Sequence, residues 1–178
     1  MPVDHPTRAD HALMAAVEDR VDPDALSAAR VIPTQGRLFT PAPWPTRGAP
    51  RPAAAGRCHP STLRAARQVG AVYVEGFAYA HCAAYPHAWC ARPDGTVLDP
   101  RWPDGAAAAY LGVPMTITFV EAFQQRILTP TAFVRVFDDQ VQAVRDAARI
   151  FTGGVPARAL VDVGQALPVP AAGWMLGP

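Results

Sequence analysis

Between His59 and Val69 the chain sets Leu63, Ala66 and Val69 on one side of a helical wheel and Arg64, Arg67 and Gln68 on the other. Pro60 falls in the first turn, where its missing N–H interrupts no helical bond, and Gly70 falls where a left-handed residue closes a helix. The small residues on the inner face predict close packing against a sheet. The period then changes. "AVYVEGFAYA", Ala71 to Ala80, is apolar on both faces and rich in Val and aromatic residues, which predicts a central strand. Gly76 inside it marks a bulge or a close backbone approach. "PHAWCARPDGTVLDPRW", Pro86 to Trp102, predicts a hairpin, because Pro93 presets φ, Asp94 tolerates the bend and Gly95 accepts a positive φ.

Outside this middle the pattern is weaker. Helical spacing runs over Ala9–Arg20 and Asp24–Arg30, followed by "TPAPWPTRGAPRP", which continues neither a helix nor a central strand. Downstream, a short strand is expected at Met115–Phe119 and helices at Phe119–Leu128 and Asp138–Phe151. From Gly153 onward proline and glycine return and predict an irregular covering segment. The expected organisation is a single α+β domain. Residues 1–55 form an irregular proline-rich N-terminal arm with short helices, 56–152 the core, and 153–178 an irregular C-terminal tail.

Composition narrows the classes. The 178 residues, half of them apolar, suit one domain. A net charge of +1 gives no electrostatic case for nucleic acid or an anionic membrane as partner. All 16 basic side chains are arginine, and the 20 prolines are about twice the usual share. The 3 cysteines are an odd number, which argues against a disulfide scaffold. "MPVDHPTRAD" lacks the apolar core of a signal peptide, and no apolar run is long enough for a bilayer. The expectation is a cytoplasmic protein with reduced thiols.

The chemistry-bearing residues follow from the elements. Cys58 sits at the mouth of a helix, where free N–H groups and the partial positive charge favour thiolate. The dipole alone contributes only about 0.3–1 kcal/mol at an exposed site, so an imidazole partner is needed. Strand parity supplies one. With Pro93, Asp94 and Gly95 as the loop, Arg92 pairs with Thr96 and Trp89 with Asp99. His87 then shares a face with Asp99, roughly 7–8 Å away on the diagonal, while Ala88, Cys90 and Leu98 share the opposite, core-facing side. The expected roles are Cys58 as nucleophile, His87 as acid and base, and Asp99 as the group holding the imidazole. The Cys58 N–H is one expected oxyanion donor, and Gln35 is a candidate for the second. Glu75, alone among apolar strand residues, is a candidate for substrate contact or for fixing the site. Trp89 is expected to pack beside His87 and exclude water.

The helix-borne Cys58, followed by "PHAWC" and "DGTVLDPRW", resembles the transglutaminase-like branch of the papain-like cysteine enzymes. The "HAW" strand with a downstream Asp is similar to the leader peptidases of lasso-peptide biosynthesis. "YVEGFA" is similar to bacterial and phage proteins carrying "YVEGYA…HAW…DG…D". The likeness spans Gly56 to Trp102. It implies a papain-like α+β fold, a Cys-His-Asp triad and hydrolysis or acyl transfer at an amide or ester, with a peptide or small amide as substrate and no cofactor.

Other readings of the same residues remain open. Cys82 and Cys90 read as small buried hydrophobes, His59 as a capping residue, Trp102 as a hairpin closure, and Arg57 and Arg101 as solvated surface. His81–Cys82 and His87–Cys90 offer zinc ligands, but an HxxC pair on a strand sends its side chains to opposite faces and no CxxC knuckle is present. A zinc-stabilised interaction protein and a non-catalytic binding module on the same fold are the alternatives to an enzyme.

Overall fold

The computed structural model describes residues 5–21, 28–44, 58–102, 106–126, 135–137 and 145–168. Within them the chain is α+β. The strands are β1 (Arg37–Phe39), β2 (Val72–Ala80), β3 (Ala83–Ala91), β4 (Val97–Leu98), β5 (Ala109–Met115) and β6 (Gln165–Ala166), in the antiparallel order β4-β3-β2-β5-β1-β6. The helices are α1 (Arg8–Glu18), α2 (Ala28–Gln35), α3 (Cys58–Val69), α4 (Ile117–Arg126) and α5 (Arg145–Gly153). None of the described helices is long and apolar enough to cross a membrane.

Side-chain parity assigns two cores to the two sheet faces. Tyr73, Phe77, Ala88, Cys90, Leu98, Leu111 and Val113 pack with Leu13, Val17, Leu63 and Ala66 of α1 and α3. The opposite face carries Val74, Ala78, Trp89, Val97 and Tyr110 together with Phe39. That second face is covered because the sheet curls until the end of β1 comes round to the start of β4. Thr40, just past β1, bridges Thr96, just before β4, with Thr40 N–H donating to Gly95 O (3.1 Å) and Val97 N–H to Thr40 O (2.9 Å).

β2 is the expected central strand, between β3 and β5. Its pairing runs unbroken through Gly76, so the glycine marks a close approach rather than a bulge: a Cβ there meets the backbone of Leu111 and Gly112. Across from it, Gly112 leaves room for Trp89, whose ring atom Cη2 would lie 2.6 Å from an added Cβ. The β2–β3 turn consists of His81 and Cys82, both at positive φ (49° and 61°).

The hairpin register matches the parity argument. Arg92 N–H donates to Thr96 O (2.9 Å), and Ala91 pairs with Val97 and Cys90 with Leu98. Asp94 stabilises the loop by accepting from Thr96 N–H (2.9 Å) and Thr96 O–H (2.7 Å). α3 ends as expected at Gly70 (φ 65°), where Ala71 N–H reaches back to Ala66 O (3.1 Å). Leu63 and Ala66 face the core, but Val69 is 36 % exposed, one turn past the packed face.

The ends of the chain depart from expectation. The N-terminal segment is no mere arm. α1 is closed by a capping box between Thr7 and Asp10 and buries Leu13, Met14 and Val17. The described part of the second helix is Ala28–Gln35, running past the expected end at Arg30, residues 22–27 lie outside the described set, and "RLF" is a strand inside the sheet. Likewise the C-terminal segment buries Val155, Ala159 and Val163 and adds β6. The strand expected at Met115–Phe119 is not formed: β5 ends at Met115, and residues 117–119 are the first turn of α4. α4 starts at Ile117 because the Thr116 hydroxyl accepts from Phe119 N–H (3.3 Å) and caps it. Of the helix expected over Asp138–Phe151, the part before 145 lies outside the described residues.

Candidate active site

α3 is pinned to β3 one turn beyond Cys58. Thr62 O–H donates to Ala88 O (3.0 Å), and the Cys90 thiol donates to Thr62 O (3.4 Å). This anchor sets the first turn of α3 beside His87, the residue preceding Ala88. Cys58 is the first residue of the helix and half-buried, and His87 is near enough for its hydrogen bonding and charge to lower the thiol. The Nε2 of His87 faces Asp99 Oδ2 at 2.7 Å, which leaves Nδ1 for the sulfur. Parity required His87 and Asp99 to share a face, and they meet at 2.7 Å; Cys58 comes beside them from the start of α3.

Asp99 is held on every side. Its Oδ1 accepts from the backbone N–H groups of Arg101 (2.8 Å) and Trp102 (3.2 Å). Its Oδ2 accepts from His87 and from Tyr110 O–H (2.8 Å). Both Asp99 and His87 are buried, at 2 % and 3 % exposure. Aromatic rings enclose the imidazole: Trp102 stacks on it with centroids 4.5 Å apart, and Trp89 lies parallel at 6.2 Å.

Electrostatics follow from this enclosure. Burial by itself raises the Cys58 thiol, but hydrogen bonds to His59 and His87, and the attraction of both rings, lower it to about 5. Burial likewise lowers His87, but the hydrogen bonds to Asp99 and Cys58 and the charges of both raise it to about 9. Burial raises Asp99 too, yet His87, the Arg101 backbone N–H and Tyr110 leave it below the usual carboxylate range. The two shifts run in the directions that favour thiolate on Cys58 and imidazolium on His87. By contrast burial, then Asp99, pushes Cys90 up to about 12, so it is an inert core thiol, whereas Cys82 is exposed in a turn.

The remaining candidates separate. Glu75 is buried at 2 % exposure and accepts from Tyr73 O–H (2.9 Å), Phe137 N–H (2.9 Å) and Val136 N–H (3.2 Å). It therefore fixes the 135–137 segment beside the site, and it lines a cavity of about 250 Å³ together with His59, His87, Phe77, Phe137 and Arg20. Trp89 is fully buried and forms part of the wall behind His87. Gln35 has both ends of its amide engaged by Val155. Its amide N–H donates to Val155 O (2.9 Å) and its carbonyl accepts from Val155 N–H (2.7 Å), so both ends clamp α2 to the segment after α5. Arg57 lies outside the described residues, and Arg101 contributes its backbone N–H to Asp99.

Three participants escaped the sequence reading. His59 is not a simple cap: its Nδ1 is 3.1 Å from the Cys58 sulfur. Tyr110 lies on β5, a strand with no alternation to betray it. Trp102 does more than close the hairpin, because Asp99 draws its backbone in and its ring covers His87. Among the described residues no group of three or more His, Cys, Asp or Glu is placed to hold a metal ion. His87 and Cys90 do lie on opposite faces, as the parity of an HxxC strand requires. Comparison with protein-family models, curated proteins and solved structures found no match, so the functional reading rests on residues and geometry.

Proposed function

We propose that the protein is a cysteine-dependent hydrolase or acyltransferase acting on an amide or ester through an acyl-enzyme. The observation that carries this is the Asp99 carboxylate on His87 Nε2 at 2.7 Å, with Cys58 at the start of a helix anchored beside His87. A helix-borne Cys packed against an antiparallel sheet bearing His and Asp also supports a papain-like, transglutaminase-like core. The three free cysteines suit a reducing compartment such as the cytoplasm.

The steps follow from the geometry. The Cys58 thiolate adds to the substrate carbonyl carbon, and the carbonyl electrons move onto oxygen beside the N-terminal N–H groups of α3. His87 donates its Nδ1 proton to the leaving nitrogen or oxygen, the carbon–leaving-group bond breaks, and a thioester remains on Cys58. Neutral His87 then takes a proton from water or an amine as that nucleophile attacks. The sulfur departs as thiolate, and the ion pair is restored. Asp99 keeps the Nε2 proton in place throughout. The cavity of about 250 Å³ takes a group the size of a small acyl or single amino-acid residue. A peptide or small amide satisfies this.

The test is covalent capture. Incubation with a panel of small activated acyl esters, followed by peptide mass spectrometry, is expected to place one acyl group on Cys58 and none in Cys58→Ala. Acylation spread equally over the cysteines, or persisting in Cys58→Ala, would overturn the proposal.

A further inference from the structure

We propose that His59, backed by Glu75, is a second imidazole on the sulfur of Cys58, and that it holds the thiolate while His87 carries the proton. This rests on the cysteine chemistry proposed above and adds a division of labour to it.

The two sides of the sulfur are built alike but not equally. Each ring turns one nitrogen toward a buried carboxylate, and His59 turns the other toward the thiol. His87 meets Asp99 at hydrogen-bond distance, 2.7 Å, whereas His59 Nε2 stands 4.0 Å from Glu75 Oε1. The short contact fixes a tautomer and suits a group that must gain and lose a proton at Nδ1. The longer one supplies charge without binding the ring. His59 Nδ1 lies 3.1 Å from the sulfur, the distance of a donor to a thiolate. Glu75 has no freedom to follow the reaction, since Tyr73 and the backbone of Val136 and Phe137 hold it. Tyr73, pushed well above its ordinary range by burial and then by Glu75, stays protonated as that donor.

The charged and titratable groups around Cys58 are His59 on its own helix, His87 from β3 with Asp99 behind it, and Tyr73 and Glu75 from β2. Arg20 and Arg135 line the adjoining cavity. Both imidazoles favour the thiolate through hydrogen bonding and charge, and His59 Nδ1 meets the sulfur at 3.1 Å. The consequence appears in the second half of the cycle. When sulfur leaves the acyl carbon it regains its negative charge, and a donor at His59 is present whatever the protonation of His87.

The test is the pH dependence of iodoacetamide labelling at Cys58 in the wild type, His87→Gln, His59→Phe and His59→Asn. The wild type is expected to titrate far below the value of about 8.5 of an ordinary thiol. With His59→Phe the midpoint rises by roughly 1–3 pH units, and His59→Asn, whose amide N–H replaces the Nδ1 donor, recovers part of the shift. In His87→Gln the midpoint stays below the ordinary range because His59 remains. A wild-type midpoint in His59→Phe, or an ordinary midpoint in His87→Gln, overturns the second imidazole and leaves the triad standing. An ordinary midpoint in the wild type overturns both. Should His59→Phe not fold, imidazole ¹⁵N spectra of the wild type decide the matter. His59 Nδ1 is expected to carry a proton and to shift with the titration of Cys58. An Nδ1 that is unprotonated or indifferent to the thiol refutes the assignment.

Discussion

Replacing Asp99 with Asn keeps the shape of the buried carboxylate but reverses one of its edges. The Arg101 and Trp102 N–H groups both donate to Oδ1, at 2.8 and 3.2 Å, so the amide oxygen stays there. The amide NH₂ then takes the place of Oδ2, facing His87 Nε2 at 2.7 Å and Tyr110 O–H at 2.8 Å. The tyrosine hydroxyl can rotate to accept, but His87 cannot adapt without cost. Its Nε2 must give up its proton, which moves the tautomer to Nδ1, the nitrogen that has to accept from the thiol or nucleophile. A charge-assisted hydrogen bond is worth about 1.5–3 kcal/mol in such a site, and one pKa unit is about 1.4 kcal/mol. His87 is therefore expected to fall from about 9 by roughly 1–2 units. Acyl transfer is expected to fall by about 10³–10⁴-fold. Imidazole ¹⁵N shifts followed across pH read the tautomer and the midpoint directly, with a thermal melt confirming the fold. An unchanged midpoint with Nε2 still protonated would refute the proposed role of Asp99.

Other outcomes follow from the same geometry. Cys58 is lowered and His87 raised, so the thiolate exists above about 5 and the imidazolium below about 9; kcat/KM against pH should be a bell with limbs near those values, and a single limb near neutrality would contradict the ion pair. Gln35→Ala removes both hydrogen bonds to Val155 and should cost about 1–3 kcal/mol in denaturant unfolding while leaving Cys58 labelling unchanged; slowed labelling in a folded variant would return Gln35 to the site. Gly112→Ala drives a methyl against Trp89 and the Glu75 backbone, and should lower stability by about 1–3 kcal/mol in the same assay; an unchanged midpoint would mean the curled sheet is slacker than described.

Much of the site could be read before the fold was known, and for a local reason. The Pro93-Asp94-Gly95 turn determines the register, and strand parity then puts His87 and Asp99 on one face. α3 announced itself by Pro60, Gly70 and its apolar stripe. What stayed hidden depends on tertiary structure. β5 is buried on both faces and contains Gly112 and Pro114, so it shows neither alternation nor an uninterrupted β-branched run, and Tyr110 went unseen with it. The β2–β3 turn uses His81 and Cys82 at positive φ, without the Gly or Asn that usually marks such a turn. β1 sits beside a proline-rich run and becomes a strand only because β5 and β6 flank it. His59 was missed because neighbours on a helix point about 100° apart, which gives no reason for an imidazole to reach the sulfur next to it.

The central claim is that Cys58 is a thiolate where an ordinary cysteine is not, and competition between thiols tests it most directly. At about pH 6 a thiol of pKa about 8.5 is roughly 0.3 % ionised. One near about 5 is almost wholly thiolate. The lower basicity of that thiolate takes back part of the gain, leaving roughly a tenfold advantage in rate. Accessibility acts in the other direction, because Cys82 is exposed and Cys58 is half-buried. Limited iodoacetamide at about pH 6, read by peptide mass spectrometry, should label Cys58 well ahead of Cys82. Labelling that follows exposure, with Cys82 first, would contradict the account.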